Sequence, residues 1–191
     1  MWSKIQVSAG FCLLAGWFAA VNGWRLLAVV LGAAVTHELG HWLALRLLGA
    51  EVLEMRVGVL GAVLRTDGGR LSYGGELAAV LAGPGANLLG ALALTALGPG
   101  WETAAGAQLV LGAFNLLPVR PLDGGRALHL VSAWLLGPRA GELTAQWTGA
   151  LTALAMALCL GEIMRSTGGS LWLLPALAGL LGAALREIFG K

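Results

Sequence analysis

Apolar stretches of about twenty residues recur along this chain, and they restrict it to folds that lipid can solvate. Of its 191 residues, 58% are hydrophobic and 12% are charged, about half the charged share of a soluble domain. Mean hydropathy is +0.80. One soluble core of this size cannot bury so much apolar surface and still present a polar exterior. Thirty glycines, with many alanines, suit helices that pack closely in a bilayer. Disorder would require low hydrophobicity and is set aside.

The pattern predicts an all-α polytopic membrane protein with about six spans, at 6–22, 24–48, 75–98, 104–137, 142–163 and 171–189. Pro118 and Pro121 interrupt the fourth, which resumes at Gly124. The segment 51–73 differs: it is Val-rich and charged, with Asp67-Gly68-Gly69 as a turn signal. Two short strands are expected around it, forming a hairpin that must avoid lipid because open strand edges cannot be satisfied there.

With a cytoplasmic N-terminus, Lys4, Arg46, Arg56, Arg65, Arg70, Arg139, Arg186 and Lys191 fall on the cytoplasmic side. Only Arg25 and Arg165 fall outside, a bias that places both termini in the cytoplasm. The retained first span argues against a cleaved signal peptide. One transmembrane domain is expected over 1–191, with a catalytic core at about 24–137 and no separate soluble domain. No basic run points to nucleic acid. Cys12 and Cys159 lie in apolar stretches and read as small buried residues.

Chemistry concentrates at His37-Glu38-Leu39-Gly40-His41. Residues four apart share a helix face, so His37 and His41 can present two imidazoles to one zinc ion. Glu38 is then close enough to take a proton from a water on that ion. Two histidines and a glutamate in an apolar helix are costly in lipid and mark function. A polar helix–helix contact is the alternative. Catalytic zinc wants a third protein ligand. Glu76, Glu102, Glu142 and Glu162 lie at span ends, whereas Asp123 follows the proline break. Irregular backbone at membrane depth survives only where it lines protein or a wet cavity, so Asp123 is the expected third ligand. The alternative is a simple proline kink with Asp123 capping the second half-helix.

HELGH at 37–41, NLLPVRPLDGG at 115–125 and Ala82-Gly83-Pro84-Gly85-Ala86-Asn87 together resemble the HExxH, NxxPxxPxDGG and GPxxN elements of the site-2 protease family. The resemblance covers about 30–130 and is nearest the compact form without PDZ domain, similar to stage IV sporulation FB-type proteases; this chain shows no CBS domain. It implies a six-span intramembrane zinc metalloprotease that cuts in or near transmembrane segments of membrane-bound substrates, such as sigma-factor or anti-sigma-factor precursors. It further implies that His37, His41 and Asp123 bind zinc, that Glu38 is general base and later proton donor, and that Asn115 and Asn87 serve the substrate or oxyanion. Gly83-Pro84 would shape span-three packing. Other implied features are a bacterial cell membrane and a membrane regulatory partner.

His129 reads as a packed polar contact before it reads as a group behind the metal. Arg126 could pair with Asp123 or with headgroups. The tryptophans near span ends suit interface anchoring. A catalytically silent homologue lacks support, because the ligand set and base are complete. A transporter would predict inverted repeats, and none is visible.

Overall fold

In a computed structural model, the protein is described at residues 4–58, 61–67 and 71–166, and at 179, 181, 182, 184 and 185. The sixth expected span, 171–189, lies largely outside the described residues. The described chain divides into two compact units, Met1–Phe114 and Asn115–Lys191.

The first unit opens on β1 (Lys4–Val7), then α1 (Ala9–Asn22) and α2 (Trp24–Leu47). Next come β2 (Val52–Gly58), β3 (Gly61–Thr66), α3 (Tyr73–Ala96) and α4 (Glu102–Asn115). Two expectations need correction. The expected hairpin is present as β2 and β3, paired antiparallel, but β1 adds a third strand, parallel to β2, in a sheet ordered β1-β2-β3. Residues 6 and 7 therefore belong to a strand, where Ile5 and Val7 alternate with Gln6 in a period-two pattern. Ser8 ends the strand and caps α1, its hydroxyl accepting from the Phe11 N–H at 3.2 Å. At 14 residues, α1 reaches only about 21 Å. The reversal also differs: Gly58 pairs with Gly61, so the strands meet there, and β3 ends at Thr66, before the expected turn signal. Gly61, at φ +117°, supplies a backbone conformation that few other residues adopt.

Three helices among the described residues are long and apolar enough to cross a membrane: α2 and α3, each 24 residues, and the 29-residue Pro138–Ser166. Each rises at least about 36 Å, more than the roughly 30 Å hydrocarbon core. Leu39, Leu43, Leu88, Leu89, Leu92 and Leu158 are exposed on them, a display suited to lipid. Helices α2 and α3 pack tightly because their contact residues are small. A Cβ added at Gly40 would stand 2.4 Å from the Ala82 carbonyl oxygen and 2.7 Å from Ala86 Cβ. Only glycine allows that approach.

The second unit holds α5 (Asp123–Leu136) and α6 (Pro138–Ser166). The break expected at Pro118 and Pro121 is present, as residues 116–122 between α4 and α5. The segment is pinned by Val119, which is buried in a cluster with Ala153 and Ala184, with Leu122 against it. Backbone bonds from Val119 N to Leu117 O and from Leu122 N to Val119 O, both 2.8 Å, complete the turn. The turn lies directly over the start of α5: a Cβ on Gly124 would be 2.0 Å from the Leu116 carbonyl oxygen.

Candidate metal centre

HELGH lies in the second half of α2. Its four-residue spacing turns both imidazoles to the same side, with His37 Nε2 and His41 Nε2 3.1 Å apart and the rings edge to face at 86°. His37 is 5% exposed; His41 and Glu38 are half-buried.

The opposite ring nitrogens are both held. His41 Nδ1 donates to the Ala79 carbonyl at 2.8 Å, and His37 Nδ1 donates to Asn87 Oδ1 at 2.6 Å. With protons on both Nδ1 atoms, the lone pairs sit on the two Nε2 atoms and point at one place. Two such lone pairs repel unless a cation lies between them. A tetrahedral zinc with Zn–N distances of about 2.0–2.1 Å holds two nitrogens about 3.3 Å apart, close to the separation seen here. The donor pair therefore fits zinc, and each ring has the outer hydrogen bond that metal-binding histidines usually carry.

Gly83 of α3 makes room for the site. A Cβ there would stand 2.2, 2.5 and 2.8 Å from Nε2, Cε1 and Cδ2 of His41, so the imidazole lies flush against the bare backbone. Asn87, four residues on, is fully buried. It is located beneath His37, with its amide nitrogen donating to the Ala33 carbonyl at 3.0 Å and to Gln108 Oε1. Gln108 of α4 is 6% exposed and donates through Nε2 to Thr36 Oγ1 at 3.1 Å. Thr36 in turn donates to the Gly32 carbonyl at 3.0 Å. Gln108 and Thr36 were not singled out in the sequence. The available signal was a glutamine at the middle of the otherwise apolar run Ala104–Phe114.

In the second unit, Asp123 is the first residue of α5. The N-cap is Leu122 and has no side-chain cap bond, so Asp123 is not the capping residue. Its residue is half-buried and its Oδ2 is shut off from solvent. Asn115, the last residue of α4, is half-buried. His129 lies 3.7 Å from Glu142, which also takes a 2.9 Å bond from Arg120. Arg126 is exposed.

No protein-family model matches the chain. It is 33% identical over 196 aligned positions to zinc metalloprotease Rip3 of Mycobacterium tuberculosis, an alignment covering 90% of this chain and 49% of that protein. It is 29% identical over 119 positions to zinc metalloprotease MJ0392 of Methanocaldococcus jannaschii, covering 56% of this chain and 34% of the relative. The chain thus spans half or less of the length of these curated relatives. Among solved structures, the site-2 protease from Methanocaldococcus jannaschii superposes with a TM-score of 0.68 at 22% identity, over 98% of this chain and 92% of that one. That likeness shows a common fold. With its long apolar helices the chain is an integral membrane protein, and it shares the fold of that site-2 protease.

Proposed function

We propose that this chain is a zinc-dependent intramembrane endopeptidase. The observation that carries the reading is the pair of imidazoles in α2 whose Nδ1 atoms are both engaged and whose Nε2 atoms converge to 3.1 Å, with Glu38 beside them. Relatives named zinc metalloproteases support it. Asp123 is proposed as the third ligand: a carboxylate with two histidines is a donor set that catalytic zinc uses, and a group of this composition can hold a metal ion. The two units would then act as one protease domain with its catalytic core at about 24–137.

Zinc, when bound, would supply Lewis acidity, lowering the pKa of water and polarising a peptide carbonyl. The chain's residues supply the rest. His37 and His41 are oriented by Asn87 and the Ala79 carbonyl. Glu38 accepts the proton of the attacking water on its carboxylate and delivers it to the departing amide nitrogen. Asn115 is proposed as a donor to the developing oxyanion, a role typically worth about 10²–10³ in rate.

The substrate class is a membrane-embedded segment. A helix conceals its carbonyls in internal hydrogen bonds, so such a segment must unwind before attack. The outer edge of β3 would receive the extended stretch as an added strand. Proline substitutions on that edge should slow cleavage of membrane substrates, and unchanged turnover would remove the idea. Processing of sigma or anti-sigma factors, a membrane regulatory partner, a bacterial cell membrane and cytoplasmic termini belong to the same proposal; the Lys and Arg bias supports the orientation.

The test is Glu38→Gln in the full chain, assayed on a co-expressed transmembrane reporter. The variant should retain about one zinc per chain and lose about 10²–10⁴ in turnover. Cleavage at the native rate in that variant would overturn the assignment.

A further inference from the structure

We infer that Gln108, on α4, is a positioning residue for the metal centre, acting through Asn87 to set the tautomer of His37. The inference rests on the zinc-protease reading, but its logic is that of proton counting.

The chain of bonds starts at Thr36. Its hydroxyl has one proton, which goes to the Gly32 carbonyl at 3.0 Å. Toward Gln108 the oxygen can therefore only accept, and Gln108 Nε2 is the donor at 3.1 Å. That fixes the Gln108 amide, turning Oε1 on Asn87. Both Nδ2 protons of Asn87 are then assigned, to Gln108 Oε1 and to the Ala33 carbonyl. Only Oδ1 remains to face His37, so His37 Nδ1 carries the ring proton. Flipping either amide would set acceptor against acceptor. With Asn87 fully buried and Gln108 6% exposed, water cannot repair such a clash.

The packing around Gln108 fits this task. A Cβ at Gly90 would lie 3.1 Å from Gln108 Cδ, and one at Gly112 would lie 3.1 Å from Asn87 Cβ. Glycines on α3 and α4 thus let the two amides meet. Without Gln108, one of the two acceptors that hold the Asn87 amide nitrogen is gone. His37 then divides between tautomers, and the form protonated on Nε2 cannot bind metal.

The experiment uses the purified full chain in detergent, with zinc affinity read by chelator competition. Gln108→Met, similar in size and apolar, should weaken zinc binding about tenfold, within the range for groups that orient metal-binding histidines. In an Asn87→Ala background the same change should add nothing, because its route is already cut; a merely structural effect would add. Thr36→Val should resemble Gln108→Met, and Thr36→Ser, which keeps the hydroxyl, should restore affinity. Native affinity in both Gln108→Met and Thr36→Val, or additive losses in the double variant, overturns the inference. Metal-free chain labelled at histidine gives an independent readout by NMR. His37 should hold its proton on Nδ1 in the native chain and distribute it in Gln108→Met; an unchanged tautomer in the variant overturns the relay even if the native chain binds no zinc. That last finding would itself refute the protease reading separately.

Discussion

Gly83→Ala is a one-carbon change at a helix position, yet the structure predicts a large effect. The new Cβ would stand 2.2 Å from His41 Nε2, where ordinary contact begins at 3.4 Å, so the ring must retreat by about 1 Å. It cannot do so freely, because Nδ1 is tied to the Ala79 carbonyl at 2.8 Å and the same clash extends to Cε1 and Cδ2. A displacement of about 1 Å in a reacting group commonly costs about 10²-fold in rate. Turnover should fall by that order and zinc content should drop with it, both measured on protein reconstituted in vesicles with a transmembrane reporter. Gly85→Ala is the control. It lies two residues along the same helix, its Cβ meets nothing within 4 Å, and removing a glycine there should leave activity intact and gain up to about 1 kcal/mol of stability. Native zinc content and turnover in Gly83→Ala would refute the claim that His41 needs the bare backbone.

Three further outcomes are expected. Asp123→Ala should lower zinc retention at least about tenfold while Glu38→Gln retains the metal; equal retention in both variants, measured by metal analysis, would remove Asp123 from the ligand set. Gly124→Ala places a Cβ 2.0 Å from the Leu116 carbonyl and should destabilise the chain by about 1–3 kcal/mol, read by thermal unfolding in detergent; an unshifted transition would contradict the close approach. Glu54, on β2, has its pKa lowered from the ordinary 4.5, first by the Arg56 side-chain bond at 3.0 Å and further by Arg65. A lowered folded-state pKa means that its contribution is full above the ordinary carboxylate range and is lost as pH falls through the lowered value. Protection of the β2–β3 amides, after allowance for the intrinsic slowing of exchange by acid, should therefore fall on acidification below the ordinary carboxylate range in the native chain and change less in Glu54→Gln.

What the sequence revealed about this fold depended on how local the cause was. The HELGH spacing places two imidazoles on one helix face whatever surrounds them, and α2 presents them so. Pro118 and Pro121 lack the N–H that a helix needs, and the chain leaves helix between Asn115 and Asp123. By contrast, β1 is four residues long and exists through pairing with residues 54–57, which no local pattern announces. The hairpin reversal was misplaced because the strong Asp67-Gly68-Gly69 signal outweighed the weaker glycines at 58 and 61. In the sequence Gln108 is a single polar residue in the apolar run Ala104–Phe114. Its partners Asn87 and Thr36 are 21 and 72 positions away in the chain, so only the tertiary fold shows the connection.

The parallel pairing of β1 with β2 has a mechanical consequence. Lys4 lies opposite Glu54, so the ladder clasps the beginning of the chain to the segment leaving α2, and both helices form the bow between its jaws. Closing so long a bow costs entropy that a four-residue ladder cannot offset alone. The clasp should therefore latch only after α1 and α2 have been threaded and packed, making protection of the Ser8 amide, which donates to the Val57 carbonyl at 2.9 Å, a late reporter of insertion. Deleting the first seven residues would open that latch and turn the inner rail of the hairpin into a second bare edge.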